Sequence, residues 1–96
     1  MKKEIINKSI VLYDNPYVAK EYVYSHRNIF NDKTTLYIEK YNPLVIKEIS
    51  YYKDIKQYWY WVFYKNKIVI YQFDRKPNKK EYKEMINDII KEYNNE

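Results

Sequence analysis

The sequence predicts an α+β domain: an antiparallel β-meander of four to six strands, covered on one face by a C-terminal amphipathic helix, with a further short helix near residues 16–30. Three observations predict it. From Thr34 onward, short runs of β-branched and aromatic residues alternate with turn residues. Residues 57–64 include Tyr58, Trp59, Tyr60, Trp61 and Phe63, so both faces are apolar or aromatic, as in a central strand. Tyr82, Met85, Ile86, Ile89, Ile90 and Tyr93 recur at three- and four-residue steps, the helical period.

Taken in order, residues 4–13 read as a first strand, with Ile6, Ile10 and Leu12 on one face and Ile5, Val11 and Tyr13 on the other. Asp14, Asn15 and Pro16 break it. Residues 17–30 carry two patterns. As a helix they have Asn15 as cap, Pro16 at the first position and a stripe of Val18, Tyr22, Val23, His26, Ile29 and Phe30. As a strand they have the triplet Tyr22, Val23, Tyr24, leading into a turn at Asn31, Asp32 and Lys33. The helix is the preferred reading. Strands are then expected over 34–41, 44–52, 57–64 and 68–73. The first two are separated by Asn42-Pro43, the next break runs from Lys53 to Lys56, and the last hairpin turns near Lys65, Asn66 and Lys67. With no glycine in the chain, Asn66 is the expected positive-φ residue there. Asn78 followed by Glu81 forms a capping box for the final helix, which is expected to lie on the Trp59, Trp61 and Phe63 face.

Composition narrows function mainly by exclusion. The chain has 96 residues, enough for one domain, and contains neither Gly nor Cys and a single His. Without glycine there is no phosphate-binding loop, dinucleotide fingerprint or nucleophile elbow, because each needs positive φ or close backbone approach. Without cysteine there is no disulfide scaffold and no thiolate zinc site. No apolar run is long enough to span a membrane, and no signal peptide is evident at the start, so a cytoplasmic protein is expected. Ile, Lys, Asn and Tyr make up 53 of the 96 residues. All four have AT-rich codons, a bias that accompanies phage and mobile-element coding sequence. Fourteen tyrosines imply a core partly built of rings whose hydroxyls reach its margin.

Charge placement is the main positive signal. Between Lys53 and Lys83 there are nine cations against three anions, and the rest of the chain has nine against ten. An antiparallel hairpin of residues 57–64 and 68–73 would bring Lys53, Lys56, Arg75, Lys76, Lys79 and Lys80 to one sheet end, where the final helix starts. Lys65 and Lys67 would lie roughly 20 Å away. Lysines in a helix's first turn oppose its dipole, and a bound phosphate would relieve that repulsion. Tyr52 and Tyr58 flank this end and could stack on bases. The expected function is therefore a non-catalytic protein that docks on nucleic acid, or on a nucleic-acid-handling complex, through these lysines and tyrosines. An alternative is a protein-binding inhibitor using Tyr58, Tyr60 and Tyr64 as an exposed face. Edge strands would also allow a homodimer.

Catalytic and metal readings are weaker. Ser25 and His26 are sequence neighbours whose side chains diverge on either a helix or a strand, so they form no dyad. A metal-independent ribonuclease of the toxin type would have to recruit Arg75, Lys76, Tyr58 and His26, which no motif links. Glu81, Glu84, Asp88 and Glu92 form a row along one helix flank, a one-sided arrangement poor for a hard cation. No cofactor is expected.

Overall fold

A computed structural model describes residues 2–26 and 34–94. It contains β1 (Lys2–Asn7), α1 (Val11–Asp14), α2 (Pro16–His26), β2 (Thr35–Tyr41), β3 (Leu44–Tyr52), β4 (Ile55–Tyr64), β5 (Lys67–Phe73) and α3 (Lys79–Asn94). The strands form one sheet in the order β1-β5-β4-β3-β2, with every neighbouring pair antiparallel. Strands β2 to β5 are the expected meander, and β1 is added along the free side of β5. The architecture is α+β with five strands.

The first strand is shorter than expected. β1 stops at Asn7 because its partner β5 begins at Lys67, opposite Asn7, so later residues have no ladder to join. The chain coils instead: Ser9 Oγ accepts a hydrogen bond from the Val11 amide, and the Ser9 carbonyl accepts one from Leu12. Leu12 and Tyr13 then pack onto the sheet rather than alternating along a strand. The helix reading of the next segment holds for residues 16–26. Asn15 Oδ1 caps it by accepting from the amides of Tyr17 and Val18 at 3.1 and 3.2 Å. Ile29, Phe30, the turn at Asn31 to Lys33 and the side chain of Tyr93 lie outside the described residues.

Turn lengths set the register. Tyr52 pairs with Ile55, so the β3–β4 turn is the two residues Lys53 and Asp54, both at positive φ (49° and 67°). This is the backbone of a tight hairpin, and it starts β4 two residues earlier than expected. The β4–β5 turn is likewise two residues, because Tyr64 pairs with Lys67. Its positive-φ residue is Lys65 (54°), not Asn66.

Each sheet face is covered by a different helix, and here the structure corrects the sequence reading. Trp61 and Phe63 pack with Ala19 and Val23 of α2 and with Leu44, Ile46, Ile68 and Ile70; Trp59, Tyr13 and Tyr22 border this cluster. α3 covers the opposite face, where Met85, Ile86 and Ile89 meet Val45, Tyr60, Val62, Val69, Tyr71 and Phe73. Size matching accounts for the arrangement: small Ala19 and Val23 leave room for two large rings, whereas the Met and Ile side chains of α3 fill the gaps beside Val62 and Val69. Burying each such aliphatic side chain is worth about 1.5–3 kcal/mol.

Candidate nucleic-acid interface

Topology brings two basic segments to one end of the sheet. β5 ends at Phe73, which pairs with Tyr58, so Ile55, Lys56 and Gln57 of β4 extend beyond it. On the other side the β2–β3 ladder starts at Thr35 opposite Ile49, so Ser50, Tyr51 and Tyr52 also extend beyond their neighbour. Residues 50–57 thus form a two-stranded ribbon projecting about 10 Å past the sheet. Lys53 and Lys56 are on this ribbon, and Arg75, Lys76, Lys79 and Lys80 follow β5 at the same end. α3 starts here and runs to the far end, where Tyr64 Oη donates to Asn94 Oδ1 at 2.7 Å. Lys65 and Lys67 are at that far end.

The six cations are not equivalent. Arg75 donates two hydrogen bonds to the Glu81 carboxylate, each 2.7 Å, in bidentate geometry. Glu81 also accepts from the Asn78 amide at 3.0 Å, while Asn78 Oδ1 accepts from the Glu81 amide at 2.8 Å. The capping box is therefore present, and it corrects the phosphate argument: the chain's own carboxylate occupies the first turn of α3 and offsets its lysines. Arg75 and the Asn78 amide hold Glu81 at about 2, well below the usual carboxylate range. Arg75 is correspondingly raised by Glu81 and is spent on it. Lys76, Lys79 and Lys80 are exposed and, among the described residues, carry no ion pair.

The tyrosines divide between faces. Tyr52, 61% exposed, is on the α2 face with the Lys53 ammonium 5.5 Å from its ring centroid. Tyr58 is on the α3 face, half-buried, with the Lys56 ammonium 5.4 Å above it. The two tyrosines chosen from sequence thus share a sheet end but not a surface. Tyr60 is 4% exposed beneath α3, and Tyr58 and Tyr64 pack against the same cluster, so the expectation of an exposed Tyr58, Tyr60 and Tyr64 face is overturned. Burial, followed by Glu39, pushes the Tyr60 hydroxyl up to about 12.

Sequence reasoning missed Tyr37, Tyr51 and Lys47, which complete an aromatic, basic surface. α3 covers β4 and β5 and reaches Val45 of β3, but it leaves the face open at β2 and at the ribbon end of β3: Tyr37 is 45% and Tyr51 36% exposed. Tyr51 pairs with Lys56, Lys47 with Tyr37 and Ile49 with Tyr58, so all are on this face. Lys47 Nζ lies 4.8 Å from the Tyr37 centroid and 2.7 Å from Glu39 Oε1. The Tyr58 hydroxyl beside Lys56, with Tyr51 and Tyr37 nearby, holds the Lys56 ammonium above the ordinary lysine range. Period-two alternation along β3 would have placed Tyr51 on the same face as Lys47. Tyr37 was not accessible that way, because a register shift between Ile38 and Lys40 interrupts the β2–β3 pairing.

The residues collected for a ribonuclease do not converge. His26 stacks on Tyr22 at 4.0 Å on the α2 face, Tyr58 is on the other face, and Arg75 is held by Glu81. Glu81, Glu84 and Asp88 border an open cleft floored by Tyr71, Phe73 and Met85, in which Tyr71 Oη donates to Asp88 at 3.3 Å. No helix among the described residues is long and apolar enough to cross a membrane. No family model matches the chain, and neither does any curated protein or solved structure.

Proposed function

We propose that the chain is a non-catalytic nucleic-acid-binding protein, acting on nucleic acid alone or within a nucleic-acid-handling complex. Its contact surface is the β3–β4 ribbon together with the start of α3. The observation that carries this reading is the setting of Lys56: an exposed ammonium among Tyr37, Tyr51 and Tyr58, at the sheet end that also holds Lys76, Lys79 and Lys80, which carry no ion pair among the described residues. Ammonium groups neutralise phosphates, and neighbouring rings offer stacking surfaces to any base. Arg75 takes no part, because its guanidinium is engaged by Glu81.

Salt dependence tests the reading. Engaging five phosphates through Lys53, Lys56, Lys76, Lys79 and Lys80 gives a log–log slope of affinity against salt of about −3.5 for a single strand or −4.5 for a duplex. Replacing Lys76, Lys79 and Lys80 by Glu should abolish binding while leaving circular dichroism unchanged and the melting temperature no lower, because acids in the first turn of α3 favour its dipole. Binding that is insensitive to both salt and this substitution would refute the proposal.

A protein-binding reading is favoured by a different surface from the one expected. Ile10, Val11, Tyr17, Val18 and Tyr24, on and beside α1 and α2, are all exposed. A partner docked there would make the basic end incidental, and its affinity would respond only weakly to salt.

A further inference from the structure

We infer that the ligand of this surface is a single-stranded nucleic acid, bound with little sequence preference along the open half of the α3 face. The inference rests on the nucleic-acid-binding reading and adds the class of strand, from three features of the surface.

The first is the ring geometry. Tyr37 is level with Lys47, and Tyr51 is four residues further along β3, so the two exposed rings are about 13 Å apart along the strands with Tyr58 between them. That spacing lets one extended strand cover more than one ring. A duplex keeps its base faces stacked internally and presents only edges and phosphates, which exposed tyrosine faces cannot use.

The second is the placement of cations against the rings. Lys47 and Lys56 hold their ammonium groups 4.8 and 5.4 Å from the Tyr37 and Tyr58 centroids. A base arriving on Tyr58 displaces the Lys56 ammonium, which is then available to the adjoining phosphate, whereas Lys47 stays with Glu39 beside Tyr37. The Glu39 carboxylate is paired with Lys47 at 2.7 Å.

The third is the helix beside the face. Tyr82 of α3 packs on Tyr60 of β4, with centroids 5.8 Å apart. Glu81 and Lys83 follow about 100° to either side of Tyr82 around the helix. Glu81, Glu84 and Asp88 border the β5 side with Tyr71 and Phe73, so Lys83, with Lys79 one turn before it, is turned toward β3 and the open face. α3 thus forms a wall about 10 Å thick whose near flank is basic and whose far flank is acidic. A single strand fits in the step between wall and sheet, with phosphates toward Lys79 and Lys83 and bases toward the tyrosines.

The test is fluorescence anisotropy with labelled oligo(dT) and oligo(U) of about 20 nucleotides and a duplex of equal length, using the intact chain. Single strands should bind at least about tenfold more tightly than duplex. Tyr37→Leu and Tyr51→Leu should each weaken single-strand binding by about 5- to 150-fold, while Tyr37→Phe and Tyr51→Phe, which keep the ring, should bind like the wild type. Both positions are exposed, so the variants keep the fold, and their melting curves check it. Duplex binding equal to or tighter than single-strand binding overturns the inference, and so does binding that depends on Lys76, Lys79 and Lys80 but is indifferent to the Leu variants. In either case the broader nucleic-acid reading stands. Failure to bind any of the three probes refutes that reading itself.

Discussion

Arg75 and Glu81 meet through two parallel 2.7 Å hydrogen bonds, and the same carboxylate closes the capping box of α3 with Asn78. One acid therefore joins the exit of β5 to the start of the helix. Glu81 sits at about 2 in the folded chain against an ordinary value of 4.5. Its stabilisation is complete above about pH 4.5 and is lost as the pH falls toward 2, where the folded-state carboxylate takes up its proton. Glu81→Gln keeps an acceptor for the capping box, so it isolates the charge pair. The gap in melting temperature between wild type and Glu81→Gln should be full at neutral pH, narrow through this acid window and close at its lower end. A gap that stays constant across the window would show that the pair contributes nothing.

The other half of the box responds differently. Asn78→Ala removes the side-chain acceptor for the Glu81 amide and should cost about 1 kcal/mol of unfolding free energy. Urea titration should find that loss undiminished when salt is raised enough to screen exposed ion pairs.

Lys53 and Asp54 hold positive φ without being glycine. A left-handed conformation costs an ordinary side chain roughly 1–2 kcal/mol, less for Asp or Asn. The double substitution Lys53→Asn with Asp54→Gly installs the Asn-Gly pair that a two-residue hairpin favours and should raise stability by about 1–2 kcal/mol. A urea midpoint that does not rise would contradict the turn geometry.

The local signals proved legible, and the choice between sheet faces did not. Asn15-Pro16 and the Asn78–Glu81 pair mark helix starts through contacts spanning three residues or fewer, so sequence suffices to see them. β3 spans residues 44–52, as the alternation and the bounding turns indicated. β4 carries rings on both sides, and periodicity cannot choose which side a helix covers. That choice depends on packing between elements far apart in sequence, such as Ala19 with Trp61. The candidate site shows the same division. Clustering of lysines at one sheet end followed from hairpin topology, whereas the loss of Arg75 to Glu81 and the inclusion of Tyr37 depend on side-chain geometry and on a bulge.

Trp61 donates from its indole nitrogen to Glu48 Oε1 at 3.1 Å, and Glu48 is fully buried. Trp61→Phe removes one partner of a buried carboxylate and leaves a void beside Ala19 and Val23. The expected cost is roughly 2–4 kcal/mol, read from urea unfolding. A cost below about 1 kcal/mol would place the hydrogen bond outside the energetics of the core.

Double-mutant cycles can verify that the two faces carry separate aromatic contacts. Tyr60 meets Tyr82 edge-on at 5.8 Å under α3, and Trp61 meets Tyr22 edge-on at 6.5 Å under α2, although Tyr60 and Trp61 are adjacent in sequence. Edge-to-face ring pairs are worth about 0.5–1.5 kcal/mol beyond area burial. The cycle of Tyr60→Leu with Tyr82→Leu should show coupling of that size, and so should Trp61→Leu with Tyr22→Leu. The crossed cycle, Trp61→Leu with Tyr82→Leu, should be additive within about 0.5 kcal/mol because the sheet lies between the rings. Coupling in the crossed cycle, with none between Tyr60 and Tyr82, would place α3 on the tryptophan face. In that arrangement α3 would no longer cover Tyr60 and Val62, and its lysine flank would not border the surface that carries Tyr37 and Tyr51.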